Sequence, residues 1–302
     1  MKKVCITGAD GFIGSNLVKK YLESGYYVVG IGLNDENIIL ENKNYKFYKI
    51  EFDNYDKIPV ILFEKDFESF IHLAWYGYGK LTNEYNAQII NIKASCDAIT
   101  AAVQLKCKKF IFAGSSHEFQ KNYYNNDLNN EPELCSIYGA AKNSAKRFCK
   151  VIAHNNGLLF NSVIFTNVYG IGDYSNRSTN TFVKKLLNHD NLSLIEGSHY
   201  YDWTYIDDVV NGVFMVDTQG KNKKDYYIGS NTLKTFKEII IEVRDIISPN
   251  SKLNFGAYND SAFIDYSNID VSELYGDTGY VPKVTIQDGI IKLINWMEEL
   301  NR

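Results

Sequence analysis

The stretch Thr7-Gly8-Ala9-Asp10-Gly11-Phe12-Ile13-Gly14 constrains this chain more than any other. Ahead of it Val4-Cys5-Ile6 reads as a buried strand, and behind it residues 15–22 carry apolar side chains at helical spacing. Strand, glycine turn and helix in that order make a cradle for phosphate. A helix N-terminus presents unpaired N–H groups and the positive end of its dipole to an anion. Gly8 permits the sharp turn out of the strand, Gly11 leaves room for phosphate against the backbone, and Gly14 lets the helix lie close to the sheet. The spacing is G-x-x-G-x-x-G rather than G-x-G-x-x-G, which points to a different sub-family of dinucleotide binder.

Further strands are expected at 26–31, 45–50, 70–74, 109–113 and 162–165, alternating with helices at 83–105 and 138–154. That rhythm predicts an α/β fold, a Rossmann doubly wound parallel sheet covered on both faces. After Asn167 the alternation breaks up, with glycine and polar residues over 170–181 and helical patterns at 182–187, 236–247 and 286–300. This half reads as a smaller C-terminal α/β lobe for substrate, rejoining the sheet in places. The expected division is 1–166 and 167–302, interleaved. The 83–105 helix is apolar on two sides, Ile89, Ile92, Cys96, Ile99 and Val103 on one and Ile90, Ala94, Ala98, Ala101 and Leu105 on the other. One stripe suits the sheet; the other calls for a loop or a second subunit.

Composition narrows the function classes. A net charge of -4 and the lack of a basic patch argue against nucleic-acid binding. The five cysteines are odd in number and form no C-x-x-C pair, so free thiols are expected, with no disulfide framework and no metal site. No signal-peptide pattern opens the chain, and no apolar run approaches the roughly 20 residues of a membrane span. A cytoplasmic protein without membrane contact is the expectation.

Chemistry enters with Tyr138-Gly139-Ala140-Ala141-Lys142. Residues i and i+4 share a helix face, so Lys142 is placed to stabilise a Tyr138 phenolate and to lower its pKa. A phenol so tuned is a general acid or base for an alcohol or carbonyl. Ser115 ends the strand before this helix, on the ligand side of a parallel sheet, within reach of the same oxygen. His117 reads either as a further proton-transfer group or as a loop histidine bound to backbone, and Cys135 either as a pocket-lining residue or as an apolar contact.

The glycine motif, Ser115 and the Tyr138/Lys142 pair together resemble the extended short-chain dehydrogenase/reductase family, in its sugar-nucleotide branch. Tyr205-Ile206-Asp207-Asp208-Val209 and Gly279-Tyr280-Val281-Pro282 also match that branch. The resemblance implies a Rossmann domain for NAD or NADP and a lobe for a nucleoside-diphosphate sugar. It implies Tyr138 as proton donor or acceptor, Lys142 on the nicotinamide ribose, and Ser115 orienting the sugar oxygen. Cofactor contacts are implied for Gly8, Gly11, Phe12, Ile13 and Gly14, for Asp53 at the adenine, and for Ala74 near ribose and phosphates. Asn91 is implied to support the site. Substrate contacts fall to Trp75 and Tyr76 in the Trp75-Tyr76-Gly77-Tyr78-Gly79 loop, to Ser116, His117 and Asn167, and to Arg177, Thr181 and Tyr201. Members often dimerise through two helices per subunit, which suits the 83–105 helix and predicts a homodimer.

Three departures from the branch shape the expected reaction. The acid that reads the ribose 2′-OH at the end of the second strand is replaced by Gly32, and Asp35 is the nearest substitute. That loss tilts the expectation to NADP over NAD. Ser116 and His117 stand where dehydratases carry an acidic pair, which disfavours a 4,6-dehydratase. Tyr201 stands where relatives place a diphosphate-gripping arginine, leaving Arg177 to substitute. The leading expectation is an NADP-dependent reductase of the C4 keto group of a nucleoside-diphosphate 4-keto-6-deoxyhexose, supplying deoxysugar for surface polysaccharide. The alternatives are a 4-epimerase with tightly bound NAD and a non-catalytic cofactor-binding protein.

Overall fold

The computed structural model describes residues 1–34, 42–122, 136–259, 262–266 and 269–300. Asp35 and Cys135 lie outside the described residues. The first half runs β1 (Lys3–Thr7), α1 (Phe12–Glu23), β2 (Tyr27–Gly32), β3 (Tyr45–Lys49), α2 (Ile58–Ile61), β4 (Ser69–His72), α3 (Tyr85–Gln104), β5 (Lys109–Ser115), β6 (Gln120–Asn122), α4 (Ile137–Asn155) and β7 (Leu159–Phe165). The second half continues through β8 (Asn167–Tyr169), α5 (Ser178–Leu187), β9 (Leu192–Ile195), β10 (Tyr200–Tyr201), β11 (Trp203–Tyr205), α6 (Ile206–Gln219) and β12 (Asp225–Ile228). It ends with β13 (Lys234–Thr235), α7 (Phe236–Ile247), β14 (Leu253–Tyr258), β15 (Ala262–Ile264), α8 (Ser272–Thr278) and α9 (Ile286–Leu300).

Seven strands form one parallel sheet in the order β12-β7-β5-β4-β1-β2-β3, the Rossmann-like arrangement expected. The chain winds one way from β1 to β3 and the other way from β4 to β12. The switch falls between β1 and β4, and a crevice opens there beyond the strand ends. The edge strand β12 comes from well past residue 166, so the sheet is completed by the C-terminal half. The remaining short strands pair in four two-stranded ribbons.

Each face of the sheet has its own core. Leu17, Val18 and Tyr21 of α1 pack with Val209, Val213 and Val216 of α6 on one face. On the other, small residues let α3 and α4 lie close together and on the sheet: Ala94, Ala98, Ala101 and Ala102 from α3, Ala145, Cys149 and Ala153 from α4. The second apolar side of α3 is not covered throughout, since Ile89 is 57% and Ile90 40% exposed. Among the described residues no helix is long and apolar enough to cross a membrane. Cys5, Cys96, Cys107 and Cys149 are free thiols.

One buried carboxylate ties the first face together. Asp217 of α6 accepts from Tyr21 Oη at 2.6 Å and Ser69 Oγ at 2.9 Å, and its backbone carbonyl accepts from Lys109. Replacing Asp217 by Ala orphans two buried hydroxyls, so we expect a loss of about 2 kcal/mol. Urea denaturation should show a lower midpoint at unchanged m-value.

Candidate active site

The glycine turn is built from close contacts. Gly8 has φ +69°, and a Cβ there would stand 3.0 Å from the backbone N and Cα of Ala74. Gly11 caps α1 with extended backbone and no side-chain hydrogen bond, which leaves the helix N-terminus open to an anion. Below the turn, Thr7 Oγ1 and His72 Nδ1 lie 2.8 Å apart, and His72 Nε2 lies 3.1 Å from Ser95 Oγ. Burial pushes His72 down to about 3, so the ring is neutral at physiological pH.

The middle of the motif corrects the sequence reading of Gly32. The Asp10 carboxylate accepts from Leu33 N–H at 2.7 Å and Asn34 N–H at 2.9 Å, both through Oδ2. Its Oδ1 would stand 2.2 Å from a Cβ on Gly32. The end of β2 therefore has a carboxylate after all. It comes from the glycine turn, and Gly32 is glycine because that carboxylate occupies the space.

At the other end of the same cleft stand the proton-transfer groups. Ser136 caps α4 by accepting from Gly139 N–H at 3.1 Å. A Cβ on Gly139 would meet the His117 carbonyl at 2.4 Å, so the helix start is pressed against the 116–119 turn. Tyr138 is thereby held edge-on among Trp75, Tyr78 and His117, with ring centroids at 5.9, 5.5 and 5.3 Å. Ser115 Oγ accepts from His117 N–H at 3.2 Å and lies 3.3 Å from His117 Nδ1. Lys142 donates to the Ala113 carbonyl at 2.8 Å, and its Nζ stands 3.7 Å from the centre of the Trp75 ring.

This geometry also corrects the expectation that Lys142 draws the Tyr138 pKa towards neutrality. Burial raises the phenol above its ordinary value, Tyr78 adds to that, and a hydrogen bond with Ser115 opposes it. The Lys142 ammonium is engaged with a carbonyl and an indole instead. Burial pushes Lys142 down to about 7, against the pull of Glu118. Burial lowers His117 as well.

The loop after β4 is pinned through its backbone. Asn91 accepts from Tyr76 N–H at 2.7 Å and donates to the Tyr76 carbonyl at 2.9 Å. Trp75 Nε1 donates to Gln88 at 3.0 Å. Arg177 lies 4.9 Å over the Tyr78 ring and 6.0 Å from Phe12, and has no ion-pair partner among the described residues.

The cleft joining these groups encloses about 320 Å³. Of the residues expected at the site it brings together Gly8, Gly11, Phe12, Ile13, Gly14, Ala74, Trp75, Ser115, Ser116, His117, Tyr138, Lys142, Asn167 and Arg177. Asp53 is exposed on the 52–57 turn, whose Phe52 and Tyr55 line the wall. Tyr76 points outward at 47% exposure, Thr181 bonds back to Asn176, and Tyr201 packs on Phe236. Tyr78, within the expected substrate loop, and Asp10, for which the sequence gives no site role, also line the cleft.

The model of the NAD dependent epimerase/dehydratase family matches residues 4–229. Protein CapI of Staphylococcus aureus is 25% identical, over 98% of this chain and 98% of its own length. UDP-glucuronate 4-epimerase of Thermodesulfobacterium geofontis is 24% identical, over 97% and 95%. Among solved structures, UDP-glucuronic acid 4-epimerase from Bacillus cereus, in complex with UDP-glucuronic acid and NAD, superposes with a TM-score of 0.83 at 24% identity, covering 99% of each chain. DesIV, a dTDP-glucose 4,6-dehydratase from Streptomyces venezuelae with NAD and TYD bound, superposes at 0.82 and 19% identity, covering 98% of this chain and 97% of that one.

Because Asn91 grips both backbone groups of Tyr76, Asn91→Ala should free the 75–79 loop. Hydrogen exchange is expected to speed up at those amides by about tenfold or more while the sheet amides stay protected.

Proposed function

Since the chain belongs to the NAD dependent epimerase/dehydratase family, we propose that it is a sugar-nucleotide 4-epimerase working with NAD. The observation that carries this reading is the distribution of carboxylates along the cleft. The reacting end holds a phenol, two serine hydroxyls, an imidazole, an ammonium and a guanidinium. The one carboxylate lining the cleft among the described residues, Asp10, stands at the opposite end beside Gly32. A dehydratase needs an acid and a base beside the sugar, and Ser116 and His117 occupy those positions.

The residues fit a dinucleotide. Gly8, Gly11 and the N-terminus of α1 would hold the pyrophosphate, and Asp10 the adenosine ribose. Asp10 Oδ1 offers an acceptor to a 2′-hydroxyl, whereas a 2′-phosphate there would meet like charge. This reverses the argument from Gly32 to NADP and, with it, the preference for a reductase. The relatives solved with NAD point the same way.

When bound, the nicotinamide would supply reversible hydride transfer at sugar C4, on either face of the sugar. Tyr138 takes the proton of the C4 hydroxyl during oxidation and gives it back during reduction. Ser115 hydrogen-bonds that oxygen throughout. Lys142 would bring a donor to the nicotinamide ribose. Arg177, poised over Tyr78, serves the substrate's anionic portion in place of the arginine missing at Tyr201. Asn167 and Trp75 complete the sugar wall.

The wider reading keeps a homodimer, with Tyr85, Ile89, Phe148 and Val151 exposed on α3 and α4 as its contact face. It also keeps a cytoplasmic setting, and a division at 166/167 with β12 and α6 returned to the first unit.

Incubation with UDP-sugars or dTDP-sugars should yield C4 epimers at equilibrium, read by NMR, without net change in NADH absorbance. Heat-released cofactor should be NAD. Net consumption of NADPH with a 4-keto-6-deoxy substrate and no epimer would sink this reading and restore the reductase. Tyr138→Phe should lower kcat by about 10²–10⁴ with bound NAD unchanged. Asp10→Asn should improve NADP binding relative to NAD by about tenfold, one like-charge contact being removed.

A further inference from the structure

Behind the reacting groups lie two buried charges that the proton-transfer scheme does not use. Glu118 is 6% and Lys146 8% exposed. Glu118 Oε1 accepts from Ser115 N–H at 2.9 Å, and Oε2 stands 2.5 Å from Lys146 Nζ. The same carboxylate closes a capping box with Ser115 around the 116–119 turn. Gly114 accommodates it, since a Cβ there would lie 2.7 Å from Glu118 Oε1. Lys146 follows Lys142 by one turn of α4, so two ammonium groups share one buried helix face.

We infer that Glu118 and Lys146 are positioning residues: a buried ion pair that fixes Ser115 from behind and sets the ionisation of Lys142. The titratable groups around Lys142 start with Tyr138 on its own helix, whose ring centre lies 5.9 Å from Lys142 Nζ and whose phenol burial keeps protonated. On β4, His72 is neutral. On the 116–119 turn, His117 is lowered by burial. On the loop after β4 stand Trp75 and Tyr78, and Arg177 lies beyond Tyr78. From β12, Asp225 lies 3.7 Å from Lys146 but 2.7 Å from Lys150, which it serves first. Glu118 is the anion that acts on Lys142, and Lys146, one turn further along the same buried helix face, is the cation paired with it. With Lys142 poised near neutrality by burial, either charge moves its protonation across the working pH. Removing the carboxylate charge disfavours the ammonium, and removing the Lys146 charge favours it.

Trp75 is a built-in reporter, because the Lys142 ammonium sits on its ring face. The pH titration of Trp75 emission, with the W75F protein subtracted for Trp203 and Trp296, reads Lys142 without any substrate. E118Q should move the midpoint down and K146Q should move it up, each by roughly one unit. The pH limits of turnover should follow the same directions; only this arm rests on the proposed function, so inactivity with every sugar nucleotide would leave the optical result standing. The double variant E118Q/K146Q leaves no unpaired buried charge and tests the inference if a single variant does not fold. Its midpoint should lie within about 0.3 unit of wild type, since the two effects oppose. Singles that shift together or not at all, or a double variant displaced by about a unit, overturn the inference.

Discussion

The Gly8 carbonyl occupies the space that any side chain on Gly14 would need: an added Cβ would stand 1.9 Å from it. That contact lets α1 start directly above the β1 turn, and the placing of the cleft follows from it. Gly8 in turn rests on the Ala74 backbone, so the turn is located against β4 as well as β1. The two strands flank the point where the sheet reverses its winding, and the helix N-terminus is delivered to the crevice there. Phe12 and Ile13 then form one wall, and Asp10 is carried over to the end of β2.

The opposite wall is set by a different economy of space. Tyr138, Lys142 and Lys146 are buried on one face of α4, and each has its own surroundings. Lys142 has the Ala113 carbonyl, Lys146 has the Glu118 carboxylate, and Tyr138 is enclosed by three ring edges. Ser115 is bound through its backbone to Glu118 and through its hydroxyl to the His117 amide. The site is thus rigid in its polar contacts, while the 75–79 loop is attached through Asn91 and Gln88 side chains.

Local signals made much of this legible. The glycine spacing, the 3.6-residue pattern of α3 and α4 and the short β-rich runs each depend on residues close in sequence, and those elements lie within two or three residues of where they were expected. Tyr138 and Lys142 were legible for the same reason, being neighbours on one helix face. What could not be read are contacts between distant residues. Asp10 carries no local signal of its role, which appears only when β2 brings Gly32 beneath it. Glu118 likewise gains its meaning only when α4 sets Lys146 against it. The strand β12 is four residues long with no alternation, and its place in the sheet depends on pairing with β7. Helical spacing gives the adjacency of Tyr138 and Lys142 but not the direction in which the ammonium donates, which is to the Ala113 carbonyl.

Asp10 and Gly32 together also constrain how such a chain can change over generations. A side chain at the end of β2 meets the Asp10 carboxylate, so room for it opens only as that carboxylate gives up its two backbone amides or is itself replaced. Positions 10 and 32 are thus coupled, and what one can become depends on the size and conformation of the other.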